Sequence, residues 1–539
     1  MKILELIKKI FIYTPPKEKD IFMLEDIKEN IIYDVRKKQP NKEKISVNSS
    51  LEANIDVINK RFSVPLNNDV VVRRITLPGE ISAALVFYDG MVDSALINDG
   101  IIKPLLKLSL FSGEDADDGD IVFEKLLVHC QTKRSTHIDS VIDDINFGNC
   151  GIFIDGISEA FSADVKNWPH RTVQKPDNEQ SIYGPQEAFA EMLRGNSAQI
   201  RKFLKTEKLI CEKMQAGNLT KTPGVIMYIS DVANESLINE VKRRINSIAA
   251  DYIFSVEELA MMIEDSPLMI TGHILATERP DRVARALSEG RVAIILNGSS
   301  RALILPTNAY EMTHAAADAY LRTDFANMSR LIRLVSIFIS VLLPGLFIAI
   351  TMFHEEMLPT YLLYAISASR QNVPFPSIIE LLLMELAFEM IREAGVRMPG
   401  PLGSILGIVG GLILGQAAVS AKIVSPIMII IVAITGIGSF ATADYSLGWS
   451  FRILKIIFIL LGGSFGFFGI AMGIFIYSIL VASSTSFGIP FLSPLPGNKL
   501  YKNAVFVPPV WETEKRPEYL KAKKKYREDK ISKKWRAGK

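Results

Sequence analysis

The stretch LVSIFISVLLPGLFIAITMF, from Leu334 to Phe353, holds no ionisable group. At a helical rise of about 1.5 Å per residue it is long enough to cross the hydrocarbon core of a bilayer, roughly 30 Å thick. It predicts an integral membrane protein and divides the 539 residues in two near Leu331. Before that point charges recur every few positions, and beyond it they become rare. The chain carries 61 Lys plus Arg against 59 Asp plus Glu, a net charge of +2, which excludes a nucleic-acid binder working through bulk positive charge. The balance conceals a segregation: from Lys499 to the end, basic residues outnumber acidic ones by nine. That segment reads as a basic tail, cytoplasmic or at the membrane surface.

Four more apolar segments follow the first. Ser377 to Glu393 is helical in pattern but carries Glu380, Glu385, Glu389 and Arg392. At about 100° per residue, Glu385, Glu389 and Arg392 share one stripe and Glu380 lies off it. An amphipathic or re-entrant helix fits that pattern better than a lipid-bathed span. Leu402 to Ala421 and Val424 to Ala443 meet at Lys422 and Ile423 and predict a tight helical hairpin; Ile456 to Ala482 is long enough to cross with tilt. The distribution of Lys and Arg favours four crossings, with Arg322, Arg330, Arg333, Lys422 and the tail all cytoplasmic, over five, which would put the two termini on opposite sides. The Glu-bearing helix then does not cross, and Arg452 and Lys455 lie on the outer side. Gly403, Gly407, Gly411 and Gly415 recur every four residues and form a smooth face, for packing either within the chain or between subunits. Polar groups at membrane depth are expected to face protein or water, so Glu385, Glu389, Arg392, Gln416 and Asp444 are the candidate ion path. The alternative is that the Glu stripe floats in the headgroup layer.

The soluble half repeats itself. ISAALVFYDGMVDSALIN (Ile81 to Asn98) is similar to GVIMYISDVANESLIN (Gly224 to Asn239) at an offset of about 142. The same offset pairs Val141 with Val283, Gly148 with Gly290, Ile154 with Leu296, and Asp155-Gly156 with Asn297-Gly298. Each copy predicts a strand, a helix, a second helix ending at glycine, a strand, a tight hairpin turn and a returning strand. The fold expected is thus an α/β N-terminal soluble region of two tandem similar subdomains, an α-helical multi-span membrane domain and a basic C-terminal tail. Its boundaries are an amphipathic and basic lead (1–40), a first subdomain (41–170), a linker with a helix (171–220), a second subdomain (221–320), the membrane domain (321–498) and the tail (499–539).

Catalytic motifs are poor. There is no GxxxxGK and no HExxH, and the six histidines show no metal-ligand spacing. Gly462-Gly463-Ser464-Phe465-Gly466 fits GxSxG, but it lies in an apolar helix with no strand before it and reads as a packing cluster. Three separated cysteines, Cys130, Cys150 and Cys211, form neither a disulfide framework nor a zinc site. No enzyme, cofactor or metal is expected.

YGPQEAFAEMLRGNSAQIR (Tyr183 to Arg201), ERPDRVARALSEGRVAIILNGSSRALILP (Glu278 to Pro306), PFPSIIELLLMELAFEMIREAGVRMPGPLG, IVGGLILGQAAVSAKIVSP and SFGIPFLSPLPG together resemble the A subunit of the GerA-type spore germinant receptors, roughly from Leu51 to Tyr519. Departures are Ser404, where the family commonly has Gln, and a loose version of the membrane-entry segment at Ala309 to Tyr320. The resemblance implies a protein of the spore inner membrane whose N-terminal domain and tail are cytoplasmic. It implies a transporter-like B subunit and a lipoprotein C subunit as partners. In that picture B binds the nutrient, while A subunits form a homo-oligomer that conducts ions and starts germination. The alternatives are a non-conducting scaffold or nutrient sensor, with Arg171, Asn196 and Arg201 at a soluble-domain interface, or a paralogue that amplifies germination.

Overall fold

The computed structural model describes residues 22–26, 45–107, 118–127, 131–166, 176, 179, 181–396, 402–494, 506–510 and 513–527. The expected N-terminal amphipathic helix, Arg171 and the last residues of the tail lie outside them.

The first soluble unit is built from α1 (Leu51–Phe62), β1 (Val70–Leu77), β2 (Ile81–Tyr88), α2 (Asp118–Leu127), β3 (Thr132–Ser135), α3 (Ile138–Asn146), β4 (Cys150–Ile154) and β5 (Ala160–Ala163). Its sheet has the order β1-β2-β4-β5-β3. The second comprises α4 (Leu193–Phe203), β6 (Leu209–Ala216), β7 (Thr222–Ile229), α5 (Glu235–Asn246), α6 (Val256–Ile263), β8 (Leu275–Thr277), α7 (Pro280–Glu289), β9 (Val292–Leu296) and β10 (Ala302–Leu305). Its sheet runs β6-β7-β9-β10-β8, the same order, and every ladder in both is antiparallel.

Side chains of a strand alternate between faces, and here both faces are covered. Ala83, Leu85 and Phe87 enter one core, whereas Ala84, Val86 and Tyr88 join α1 and α3 in the other. Ile226 and Tyr228 likewise meet α5 and α6, while Val225, Met227 and Ile229 meet α4 and α7. Double burial explains why ALVFY and VIMYI are continuous apolar runs rather than polar–apolar alternations.

The repeat extends further than the sequence suggests. The 142-residue offset also carries α1 onto α4, so the helix expected as a linker is the first element of the second unit, and β6 follows it in the sheet. Two polar clamps recur at the same offset. Asn54 accepts from the Asn48 amide (2.8 Å) and donates to the Asn48 carbonyl (2.6 Å); Asn196 does the same with Ala190, at 2.9 and 2.5 Å. Asp155 accepts from the Leu51 amide (2.9 Å), as Asn297 does from Leu193 (3.2 Å). Each clamp ties the entry of the first helix of its unit, the second one to the hairpin turn after β4 or β9.

The helical half comprises α8 (Thr323–Phe353), α9 (Thr360–Arg370), α10 (Ser377–Val396), α11 (Leu402–Ser420), α12 (Pro426–Phe440) and α13 (Tyr445–Ser483). Two of these, α8 and Ser446–Ser483 of α13, are long and apolar enough to cross a membrane. The second is not one straight rod. At Gly466 the backbone takes φ 58°, ψ −141°, and the helix folds back on itself. Leu447 therefore shares a cluster with Val481, and Phe451 one with Tyr477. α8 starts at the soluble units, where Arg333 pairs with Asp318 at 2.9 Å, and ends with His354 against Phe467, ring centroids 4.7 Å apart, beside that turn.

Among the described residues the helical half thus makes six passes: α8, α10, α11, α12 and the two arms of α13. This departs from the sequence reading in three ways. α10 is not set apart but packs against α8, α11, α12 and α13. α11 lies along α10 more than along α12, so the expected tight hairpin is open. Lys422 sits in a turn whose Ser425 bonds to Glu380 near the start of α10, at the end of the bundle away from the soluble units. Residues 513–527 of the tail dock on the second unit: the Lys523 amide bonds to the Val232 carbonyl (2.9 Å), and Leu520 is fully buried in its core.

A Cβ at residue 466 would lie 2.9 Å from His354 Cε1 and 3.1 Å from Phe353 Cβ, on a backbone conformation reserved for glycine. Gly466→Ala is expected to cost more than the about 1–3 kcal/mol of backbone strain alone. It should lower the thermal midpoint of the detergent-solubilised chain by several degrees, whereas Gly411→Ala, where nothing lies within 4 Å, should leave it unchanged or raised.

Candidate functional site in the helical bundle

An ionisable group in an apolar bundle is tolerated only when its charge is met, because an unpaired one costs several kcal/mol. α10 satisfies this through the stripe the sequence predicts. Glu385, 4% exposed, forms an ion pair with Lys455 of α13, 2% exposed. Lys455 Nζ also lies 3.9 Å from Glu389 Oε1. Glu389 in turn takes Arg392 at 3.0 Å, and Arg452 Nη1 stands 3.9 Å from its other oxygen. Arg392 donates to Ser439 Oγ of α12 at 2.6 Å, and its guanidinium lies over the rings of Phe388 (4.8 Å) and Phe440 (5.0 Å). Gly436 makes room for the Phe388 ring, whose Cζ occupies the space a Cβ would fill at 2.5 Å.

Two carboxylates and three cations thus form one cluster in the interior. Sequence reasoning missed Arg452 and Lys455, expecting them in the solvent beyond a span. The signal was present: cations at i and i+3 on one apolar helix match carboxylates at i and i+4 on another. Chemically, the cluster is one buried carboxylate, Glu385, and one part-exposed carboxylate, Glu389, whose shared cation position is filled by a lysine ammonium.

The other predicted positions separate from it. Glu380 is wholly buried, but it accepts from the Ser425 hydroxyl at 2.6 Å and holds the start of α12, with Arg370 3.8 Å away. Gln416 is exposed on the outer surface of α11. Asp444 caps α13, accepting from the Leu447 amide at 3.0 Å. Burial pushes its carboxyl pKa up, while that amide and Arg282 of the soluble half pull it down. Gly415 meets Ile429 at 3.4 Å from its Cβ position, Gly411 meets nothing within 4 Å, and the surroundings of Gly403 and Gly407 lie outside the described residues.

Asn196 and Arg201 are both buried, and Arg201 bridges the two soluble units. Asn196 is the clamp described above. Arg201 donates to Asp69 (2.7 Å), Asn67 (3.1 Å) and the Leu209 carbonyl (3.0 Å), with its guanidinium 3.9 Å over the Tyr88 ring. Burial opposes that charge, yet Asp69 more than restores it, and the Arg201 pKa is raised. Among the described residues no group of side chains has the composition of a metal site.

The family model for the Bacillus/Clostridium GerA spore germination protein matches residues 56–519. Spore germination protein KA of Bacillus subtilis (strain 168) is 38% identical over 497 residues, 91% of each chain. Spore germination protein GerLA of Bacillus cereus is 33% identical over 482 residues, 88% of this chain and 97% of its own. Among solved structures, the crystal structure of the N-terminal domain of the A subunit of the Bacillus megaterium spore germinant receptor GerK3 aligns with 49% of this chain and 97% of its own, at 26% identity and a TM-score of 0.39.

Removing one partner of the buried pair should be far worse than removing both. Lys455→Met is expected to destabilise the folded chain by about 3–5 kcal/mol, and Lys455→Met/Glu385→Leu to recover most of it. Denaturation of the four proteins of this cycle in detergent measures the difference; equal losses in the single and double variants would place the pair in solvent.

Proposed function

The chain belongs to the GerA family of spore germination proteins, as a receptor A subunit, and from that premise we propose that it is the ion-conducting subunit of a membrane-embedded nutrient receptor. The observation that carries this reading is the Glu385–Lys455–Glu389 constellation, placed inside a bundle of apolar helices where a structural role alone would be served more cheaply by apolar side chains. In the resting subunit Lys455 occupies the position of a permeating cation. Conduction requires that ammonium to withdraw, leaving Glu385 and Glu389 to face an ion or proton, with Arg392 and Arg452 setting the local field. A nutrient signal opens the path only if its bound form favours the withdrawn state over the resting one.

The six passes put both ends of the helical half on the side of the soluble units, which we assign to the cytoplasmic face of the spore's inner membrane. The basic residues Arg322, Arg330 and Arg333 and the tail support that orientation, with Lys422 as the exception. Self-association is proposed through the outer face of α11, where Gly411 is uncovered within one chain. The partners proposed are the transporter-like B subunit, the lipoprotein C subunit and membrane lipid; no nucleic acid and no catalytic reaction are assigned. A second reading, a non-conducting scaffold, draws support from the same pairing, since a cluster satisfied within one chain also serves as a rigid strut.

Ion flux from liposomes holding the purified chain, alone and with B and C subunits, separates the two. Flux in the assembled wild type that falls at least tenfold in Glu385→Gln/Glu389→Gln, with assembly intact, is the expected result. Unchanged flux in that variant, or none from a confirmed complex, favours the scaffold. In sealed vesicles, Lys422→Cys is expected to react with an impermeant maleimide from the side opposite to Lys221→Cys on the soluble half; labelling of both from one side would overturn the six-pass arrangement.

A further inference from the structure

Where α7, the segment Ala309–Thr313, the first turns of α8 and residues 513–527 of the tail meet, they enclose a pocket of about 320 Å³. Arg282, Arg285, Arg291, Arg330, Lys515 and Arg527 line it, against three carboxylates, Asp281, Glu289 and Glu311. Those carboxylates are already engaged: Glu311 with Arg291, Glu289 with Arg527 at 2.8 Å, and Asp281 with Arg279 at 3.0 Å. From outside the lining, Asp318 reaches Arg330 at 3.3 Å but is shared with Arg333, and Glu179 takes Arg282 at 2.7 Å. Among the described residues no carboxylate lies within ion-pair distance of Arg285 or Lys515, which instead stand beside the rings of Tyr320 (5.4 Å) and Tyr526 (5.7 Å). Arg527 Nε is buried with no hydrogen-bond partner. Among the described residues the pocket therefore holds an excess of positive charge drawn from three separate segments.

We propose that this pocket binds a phosphate ester, with Arg285 of α7, Arg330 of α8 and Lys515 of the tail converging on its oxygens. A carboxylate offers two acceptor oxygens and one negative charge, too few for cations arriving from three directions. A phosphate offers three or four oxygens, and guanidinium forks match them in pairs. Arg330 lies one turn before the uncharged run that starts at Leu334, so the site is at the depth where a lipid headgroup would stand if α8 crosses a membrane. The phosphate comes either from such a headgroup or from a soluble ester. Either one, once bound, joins the tail and the second soluble unit to the first helix of the bundle.

The test uses the full chain. One arm titrates glycerol 3-phosphate into detergent-solubilised protein by calorimetry. The other compares lipid retained from nanodiscs of phosphatidylcholine alone or with phosphatidic acid, by mass spectrometry. Saturable binding in the first arm identifies a soluble ester, and selective retention of phosphatidic acid identifies a headgroup. In whichever arm binds, Arg285→Gln/Lys515→Gln should weaken binding at least fivefold. Lys107→Gln/Lys221→Gln, exposed lysines away from the pocket, should leave it unchanged. Neither arm binding, or an equal loss in both double variants, overturns the proposal. The result does not depend on whether the subunit conducts.

Discussion

The ion pair between Glu385 and Lys455 sets the terms on which the helical half can exist. Apolar helices slide and rotate against one another at little cost where lipid and leucine are alike as solvents. A buried charge removes that freedom, because only one register brings Lys455 to Glu385 and Arg452 towards Glu389. Arg392 extends the constraint to α12 through Ser439. Three helices are thus fixed by polar contacts, and the rest of the bundle is fitted to them by close approach. α8 and α13 approach backbone to backbone at one point, where the Cβ positions of Gly345 and Gly462 fall within 2.6 Å of the facing carbonyl oxygens.

The soluble half solves its own joining problem in the same way. Two similar sheets, joined by only a small apolar contact at Ala198 of α4, need a polar reason to hold one orientation. Arg201 supplies it: its guanidinium starts on the first helix of the second unit, reaches Asp69 and Asn67 of the first, and returns to the Leu209 carbonyl at the start of β6. Withdrawing that guanidinium would leave Asp69 buried without its partner, as withdrawing Lys455 would leave Glu385. These contacts hold the joint in one orientation.

Between the halves the contacts are both apolar and polar, with Met269, Ala309 and Met312 packed in one cluster with Leu447, Val481 and Phe491. Asp318 accepts both Arg330 and Arg333, Ser450 donates to the Ile270 carbonyl at 2.7 Å, and Thr271 and Tyr477 share a bond of 2.9 Å. The tail adds a strap, with Tyr519 donating to Glu311 and Lys523 bonding to Ser230. Arg330, Glu311 and Tyr519 line the basic pocket, so a ligand there would act on part of this coupling.

Much of this was legible in the residues. The uncharged run of α8, the repeat at 142 residues, the hairpin turns at Asp155 and Asn297, and the stripe of Glu385, Glu389 and Arg392 are periodicities, and periodicity is local. What was not legible depended on partners distant in sequence. Lys455 looked like a flanking charge until α13 was laid against α10. The partners of Asn196 and Arg201, Ala190 in one case and Asp69 of the first unit in the other, could be read only once α4 was seen to be the counterpart of α1. The reversal at Gly466 was hidden because a glycine in an apolar run serves equally as a packing site or a turn, and only the neighbours Phe353 and His354 decide which. The sequence by itself determined which segments are helices and strands and that the soluble half is double, because those follow from side-chain spacing along one chain. Tertiary structure alone decided which charges are buried together and how many times the helical half passes through the bundle, because both depend on which helix lies beside which.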